Sequence, residues 1–559
     1  MLRSTPKNSR TYELRKCYHV SMVSDTTPWW KHAVIYQIYP RSFYDSNADG
    51  VGDIPGIIEK LDYLRDLGVD ALWLSPVYVS PNKDYGYDIA DYRHINPEYG
   101  TLDDMKHLIA EAKARGMRII MDLVVNHTSD QHPWFEASRN PDSPFRDYYI
   151  WRKPKNGHAP NNWSSIFTGS AWTLDPRSGE YYLHLFTAGQ PDLNYKNPKV
   201  IKAVKDVMTY WLDLGVAGFR CDVVNLLDKA SLADGKRRIM GTGQEHYLST
   251  SGTHEILHSI HHDVLGPRGA YTVGEIHMNT LAIARKFTRG DELDTVFSFE
   301  HVRQGIQLGS LAQRLKHGFT KWQQGLEWNT IFLENHDQPR SVSTYGDVKH
   351  YHVRSAKMLA TIILTLRGTP FIYQGQEIGM TNAPLSKLDQ TKDPVGPMVY
   401  DLITRAHGPK WLARRVALYV TRDHARTPMQ WSGGAQGGFS TAQPWLMVNP
   451  NHTDISVALQ QDDDDSILAY YRQLIALRKS TPALTDGDIT FYRDKRGVMA
   501  YTRHFDGDSV TVIVNLTKRR QHLKLRLQGE VLISNVDRNG SLEGARLILA
   551  PYESLVVRN

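Results

Sequence analysis

The 559-residue chain is 41% hydrophobic and 23% charged, proportions that exclude a disordered, collagenous or low-complexity polymer for the bulk of the sequence. Its net charge of +6 is spread without a basic stripe, so nucleic acid is not an expected partner, and no apolar run reaches the ~18–20 residues of a bilayer crossing, so neither is a membrane. Two cysteines, Cys17 and Cys221, are too few for a disulfide framework and suit a reducing, cytoplasmic setting.

Residues 1–28 carry Arg3, Lys7, Arg10, Arg15 and Lys16 and lack the apolar segment of a secretory signal. They read as a disordered N-terminal extension. From residue 29 onward, short β-rich runs alternate with helical patterns. Strands are predicted over 34–40, 71–76, 118–126, 218–224, 270–275, 294–300, 330–335 and 369–374. Helices are predicted over 54–68, 103–116 and 199–215 from apolar residues at i, i+3 and i+4, with Gly116 and Gly215 as natural C-caps. Eightfold alternation predicts an α/β fold, a (β/α)8 TIM barrel. The stretch after the third strand is too long for a loop and reads as an inserted B domain over 128–197, which divides the barrel into 29–127 and 198–485. A second long excursion, 375–464, follows the eighth strand. Beyond a last helix at 466–479, ITFYRDKRGVMAYTRHF, SVTVIVNLT and HLKLRL alternate with period two, which predicts a C-terminal antiparallel β-sandwich domain over 486–559.

Barrel enzymes carry their chemistry at the carboxyl ends of the strands. Here those ends hold Asn126 and His127, Arg220 and Asp222, Glu275, and His336 and Asp337. A single carboxylate in such a place is ordinarily a helix cap or a lysine partner. Three carboxylates, two histidines and an arginine on one face need a use for charge. Two nearby carboxyls in an aromatic-rich cleft suit glycoside cleavage: one, ionised, attacks the anomeric carbon, and the other, kept protonated, gives its proton to the leaving oxygen.

Near the amino end, DSNADGVGD (45–53) sets Asp45, Asn47, Asp49 and Asp53 at loop positions 1, 3, 5 and 9, with Gly50 at 6 and the Val51 carbonyl at 7. That is Ca²⁺-loop spacing, although position 12 is Gly56 and not a bidentate glutamate. An Asx-rich turn is the alternative. The spacing by itself favours the turn; an ion held there would be structural, Ca²⁺ or Mg²⁺.

DLVVNH (122–127), GFRCD (218–222), VGE (273–275) and FLENHD (332–337) resemble the four ordered signature segments of the α-amylase family of glycoside hydrolases. QPDLN (190–194), YQGQEIGM (373–380) and RDHARTPMQW (422–431) resemble its oligo-1,6-glucosidase subgroup. The resemblance covers the chain from about Trp29 to its end. It implies retention of anomeric configuration, with Asp222 as nucleophile, Glu275 as acid/base and Asp337 as the third carboxylate. It further implies that His127 and His336 donate to the same sugar ring, that Arg220 holds the nucleophile ionised, and that Asp84 and Tyr87 grip and stack the terminal glucose. Arg422 closes the opposite side, Phe167, Phe186 and Gln190 line the cleft from the inserted domain, and a metal sits in the 45–53 loop. Val223, after the nucleophile, is the subgroup's marker for α-1,6 linkages.

The implied activity is exo-acting hydrolysis of isomaltose-type oligosaccharides by a monomer or small homo-oligomer. Trehalose-6-phosphate hydrolase, with Lys236, Arg237 and Arg238 receiving the phosphate, and α-1,4-glucosidase are the alternatives. A non-catalytic amylase-like transporter subunit is remote, since it depends on a membrane span and lacks the carboxylates. The sequence departs from the subgroup at Gln376-Glu377, where Glu-Glu is common. Cys221 is expected to face away from the site by alternation.

Overall fold

The computed structural model describes residues 27–167, 169–238, 241–278, 280–299, 311–492 and 497–559. Residues 1–26 of the expected extension, Cys17, and the end of the predicted sixth strand at Glu300 lie outside the described residues. The eight predicted strands form at Ile35–Ile38, Ala71–Leu74, Arg118–Leu123, Gly218–Cys221, Tyr271–Gly274, Thr295–Val296, Thr330–Ile331 and Thr369–Tyr373. They pair in parallel in sequence order, and the first also pairs with the eighth. Among the described residues no ladder joins the sixth and seventh strands. There the Thr330 hydroxyl donates to the Val296 carbonyl at 2.9 Å and bridges the seam.

Period-two alternation sorts the side chains. Ile35, Ala71, Trp73, Ile120, Val273 and Phe371 fill the barrel interior. Their neighbours, among them Tyr36, Leu72, Ile119, Phe219 and Ile372, pack outward under the helices. Both faces are buried, which is why the strands read as continuous apolar runs. Cys221 falls on the outward side as expected; burial pushes its thiol up to about 12, so it packs and does not react.

Several strands end earlier than their apolar runs. The third stops at Leu123 because the next carbonyls leave the ladder: Val124 accepts from the Tyr92 hydroxyl, Val125 from the Tyr195 hydroxyl, and Asn126 from the Leu193 N–H. The helix expected over 54–68 is two, Ile54–Glu59 and Leu61–Leu67, because Lys60 between them leaves helical geometry (φ −101°, ψ 5°). The other helices stand close to their predicted bounds, at Leu102–Ala114 and Pro198–Asp213, with Gly116 and Gly215 at positive φ beyond each end.

The inserted segment holds the helix Pro133–Ser138 and a three-stranded antiparallel sheet, with Tyr181–Leu183 between Trp151–Arg152 and Trp172–Leu174. The excursion after the eighth strand contains the helices Val395–Arg405 and Lys410–Val420. The C-terminal part is a six-stranded antiparallel sheet with a two-stranded ribbon. Val498, Ala500 and Ile513 face the ribbon's Leu523 and Leu549, whereas Met499, Tyr501 and Val512 join the main core. The alternating run at 489–505 contributes two antiparallel strands, Asp488–Phe491 and Val498–Phe505. HLKLRL likewise divides between the ribbon strand Gln521–Leu523 and the start of Leu527–Ser534. Among the described residues no helix is long and apolar enough to cross a membrane.

Candidate active site

Ladder register delivers the central charges. Asp122 on the third strand stands opposite Arg220 on the fourth, and Arg220 stands opposite Val273 on the fifth. Asp122 and Arg220 therefore point into the barrel together, and Asp222 and Glu275 follow two residues further along. Arg220, 2% exposed, donates from one nitrogen to Asp122 at 2.8 Å and to Asp222 at 2.7 Å, and from the other to Glu275. Burial raises the Asp222 and Glu275 carboxyls above their ordinary range; Arg220 opposes this in both, the charge of Asp337 adds to it in both, and the charges of Glu275 and Asp122 add to it at Asp222. The two titrate as a unit that retains a proton more readily than free carboxylates do. Burial also lifts Asp122 to about 6, against the pull of Arg220.

Asp337 has the opposite electrostatics. Burial would raise its carboxyl, but His336 and the Arg422, Arg426 and Arg220 guanidiniums drive it well below the usual range. Burial pushes His336 down to about 3, so the imidazole is neutral at ordinary pH. The arginines thus hold the anion, with Arg426 bonding Asp337 at 2.9 Å and Arg422 at 3.3 Å. Arg422 reaches further, to Asp84 at 3.0 Å and to Asp393 at 2.7 Å. This chain of ion pairs joins Asp337 to Asp84 and Asp393. Tyr87 lies parallel to the His336 ring (3° between planes), bonds its Nε2 at 2.7 Å, and donates to Asp122 at 3.1 Å.

The inserted segment supplies the facing wall. Gln190 donates toward Asp84 at 3.4 Å and the Tyr87 carbonyl at 3.3 Å. His127 is buried and its Nε2 also meets the Tyr87 carbonyl, at 3.0 Å. In this arrangement His127 braces the Tyr87 loop. Phe186 stands 5.0 Å from His127, and Phe167 lies edge-on to Phe186 at 5.8 Å. Both phenylalanines are half-buried, between the site and the apolar cluster of the inserted sheet.

Val223 departs from the predicted strand. The strand ends at Cys221, and Val223 sits in the left-handed region at φ 34°, ψ 39°, where a β-branched residue is strained. Its side chain, 6% exposed, joins the inserted segment's apolar cluster with Leu185 and Trp163. Gln376 and Glu377 take no part in the central network: Gln376 accepts the Tyr373 N–H, and Glu377 is buried and accepts from the Tyr36 and Tyr63 hydroxyls. Lys236, Arg237 and Arg238 are exposed, with Arg238 3.7 Å from Glu245.

In the 45–53 loop the oxygens mostly meet donors. Asp45 accepts from the N–H groups of Asn47, Ala48 and Gly50 and from the Ser440 hydroxyl. Asp49 accepts the Val51 N–H, while Asp53 accepts from Ser46 and caps the helix at Gly56. All donors are oxygen, which suits a hard cation, but the side chains do not converge. Among the described residues no three His, Cys, Asp or Glu side chains are grouped to hold an ion.

Sequence reasoning assigned no role to Asp122, Asp393, Arg426 or Gln37. The first and third lie inside motifs already quoted. Gln37 has a weak signal, a polar residue at an inward position of an apolar strand.

A family model described as the alpha amylase catalytic domain matches residues 37–487, and one for the alpha-amylase SusG C-terminal domain matches 498–556. An oligo-1,6-glucosidase of Parageobacillus thermoglucosidasius is 45% identical over 95% of this chain and 99% of its own length. A trehalose-6-phosphate hydrolase of Bacillus subtilis is 42% identical over 96% and 99%. Among solved structures, a trehalulose synthase bound to Tris superposes with a TM-score of 0.91 at 41% identity, covering 95% of this chain and 100% of that one.

The site's electrostatics are directly measurable. In Asp337→Asn one of the like charges that raises Glu275 is gone, so the Glu275 carboxyl is expected to release its proton at lower pH. Carboxyl NMR or infrared titration reads this, and an upward or absent shift would contradict the arrangement.

Proposed function

Because the chain belongs to the α-amylase family of glycoside hydrolases, we propose that it is a retaining, exo-acting α-glucosidase that cleaves α-1,6 bonds of isomaltose-type oligosaccharides from the non-reducing end. The observation that carries this is the convergence of Asp222 and Glu275 on the Arg220 guanidinium, beside the Asp84–Arg422 ion pair, which in this reading closes one end of the site. A closed end accepts one terminal sugar, not the middle of a chain. Relatives named oligo-1,6-glucosidase and glucan 1,6-alpha-glucosidase, at 42–45% identity, support the linkage.

In this reading Asp222 attacks the anomeric carbon, forming a glucosyl ester as the bond to the leaving oxygen breaks. Glu275 gives that oxygen its proton. Glu275 then takes a proton from water, the water oxygen bonds the anomeric carbon, and the ester bond to Asp222 breaks. Arg220 favours the ionised form of Asp222 through its 2.7 Å bond, against the burial that raises the carboxyl, and in this reading Asp337 and His336 grip the ring hydroxyls.

The test is product analysis on isomaltose, maltose, sucrose, trehalose and trehalose 6-phosphate in parallel. Glucose from isomaltose is expected to dominate. Dominant cleavage of trehalose 6-phosphate would favour the second reading, which rests on relatives of that name. The exposure of the Lys236–Arg238 trio supports a neutral substrate. Asp222→Asn and Glu275→Gln should each lose several powers of ten in rate, about 1.4 kcal/mol of barrier per tenfold. Glu275→Gln should recover partly on substrates with activated leaving groups. Retention of a tenth of the activity in Asp222→Asn would overturn its role.

Val223 is the proposed linkage selector. An α-1,6 bond adds a methylene and a torsion between the rings, so the second sugar takes a different path from that of an α-1,4 bond. Steric differences of this size are worth ~10–200-fold. Val223→Ala is expected to raise kcat/KM on maltose relative to isomaltose by about tenfold; equal losses on both sugars would leave Val223 a packing role only.

For the 45–53 loop we propose a structural Ca²⁺ or Mg²⁺. Support comes from the donor spacing and the density of carboxylates, and binding requires Asp49 to turn toward Asp45. A ligand held only by the native state raises stability by mass action. Chelation should lower Tm and leave catalysis intact once the metal is restored; an Asp49→Ala variant unchanged in metal content and Tm would leave the loop a plain turn. A cytoplasmic setting and a monomer or small homo-oligomer complete the reading.

A further inference from the structure

Gln37 lies in the middle of the first strand, 1% exposed, on the inward side of its alternation. Its Nε2 is 2.8 Å from His336 Nδ1 and 3.3 Å from the Ser75 hydroxyl oxygen. The His336 ring cannot reorient. Tyr87 lies parallel to it at 5.4 Å, Tyr39 is stacked at 6.0 Å, and Trp73 meets it edge-on at 6.0 Å. On the far side of the ring, Nε2 lies 2.7 Å from the Tyr87 hydroxyl and 3.1 Å from Asp337 Oδ2.

These contacts decide where the proton sits. The Tyr87 hydroxyl gives its one hydrogen to the Asp122 carboxylate, which only accepts, so the Nε2 atom 2.7 Å from that hydroxyl must carry hydrogen. The ring is neutral, pushed down by burial and by the facing Arg220, Arg422 and Arg426 against the pull of Asp337. Nδ1 is therefore a bare lone pair, and it needs a donor. Gln37 supplies one hydrogen to it and has a second for Ser75. Downstream, the Tyr87 hydroxyl accepts from Nε2 and is left to donate to Asp122, which accepts from Arg220. Donors therefore point away from the first strand as far as Asp122, where the direction reverses, because that carboxylate accepts from both Tyr87 and Arg220.

We propose that Gln37 is a positioning residue that locks His336 in its Nε2–H form, so that this hydrogen, accepted by the Tyr87 hydroxyl in the free site, is the donor that a sugar hydroxyl entering beside the Asp337 carboxylate meets. This deepens the α-glucosidase reading and rests on it for the identity of the ligand. Without the Gln37 donor, the proton is free to move to Nδ1, which turns an Nε2 lone pair against the Asp337 carboxylate.

Two variants and one spectrum test this. In ¹⁵N-histidine-labelled protein, the His336 signals, assigned by their loss in His336→Asn, should show a protonated Nε2 and a bare Nδ1 without any substrate present. In Gln37→Met the spectrum should shift toward Nδ1–H, and kcat/KM on isomaltose should fall about ten- to a hundredfold, the range for one lost bond to a buried polar group. Gln37→Glu separates positioning from packing. A protonated carboxyl donates to Nδ1 as the amide does, whereas an ionised one draws the proton onto Nδ1. Its rate should therefore approach that of the unsubstituted chain at acid pH and fall away as pH rises. The groups facing the ring (Tyr39, Tyr87, Asp122, Asp337, Arg220, Arg422 and Arg426) are common to both chains, so their titrations cancel in the ratio of the two profiles. An Nδ1–H signature in the unsubstituted protein, or equal losses in both variants at every pH with the tautomer unchanged, would overturn the proposal. The spectrum is read on the free enzyme, so it decides the tautomer even if isomaltose proves not to be cleaved, an outcome that would instead sink the α-glucosidase reading.

Discussion

One buried guanidinium sets the terms for the rest of the molecule. Arg220 holds Asp122, Asp222 and Glu275 at once, from a position 2% exposed. Three carboxylates taken from water near one another are costly, and a single cation offsets only part of that cost. What is left over appears as raised carboxyl pKa values, and chemistry that needs a proton donor at neutral pH can use that surplus. The requirement reaches into the scaffold. A one-residue slip of the third or fifth strand against the fourth would turn Asp122 or Glu275 out of the barrel. Strand register here carries catalysis as well as packing.

The second constraint is the turn after Asp222. Val223 occupies left-handed space that costs a β-branched residue about 1–3 kcal/mol. It is held there from both sides, by the Asp222 N–H on the Leu123 carbonyl and the Val224 N–H on the Glu275 carbonyl. The kink ends the fourth strand with Asp222 at its mouth and directs the valine into the inserted segment's apolar cluster. Residues that touch that cluster, Phe186 among them, therefore feel changes at Val223 through packing. In the proposed reading, linkage choice and inserted-domain packing share one side chain.

Much of this was legible in the sequence. The eight strands stand where apolar runs of the right length predicted them, because a parallel barrel buries both faces of each strand. Charged residues at the ends of those runs marked the site, since nothing in packing calls for Asp, Glu and His there. What escaped detection depends on distant partners. The carbonyls that end the third strand are claimed by tyrosines of other segments. Gln37 and His336 are 299 residues apart, and a lone glutamine in a strand announces no partner. The left-handed turn at Val223 contradicts local propensity outright, the expected signature of a site where tertiary structure overrides sequence preference. The metal loop is the converse case: its spacing is legible, but the placed side chains do not gather.

The two halves of the site divide the electrostatic labour. Around Asp222 and Glu275 carboxyls outnumber cations, and protons are retained. Around Asp337 the balance reverses, with Arg422 and Arg426 both on that carboxylate and Asp393 and Asp84 steadying Arg422. Asp337 is thus kept an anion, able to accept from sugar hydroxyls and to keep its negative charge beside Glu275. His336 sits at the boundary as a neutral ring, and it must be neutral. An imidazolium there would neutralise Asp337 and weaken the like-charge pressure on Glu275. Burial and three nearby guanidiniums exclude the extra proton, and the Gln37 amide, 2.8 Å from Nδ1, is the group proposed to hold the one that remains on Nε2. A polar residue in the first strand is thereby joined to a carboxyl after the fifth through five hydrogen bonds, by way of His336, Tyr87, Asp122 and Arg220.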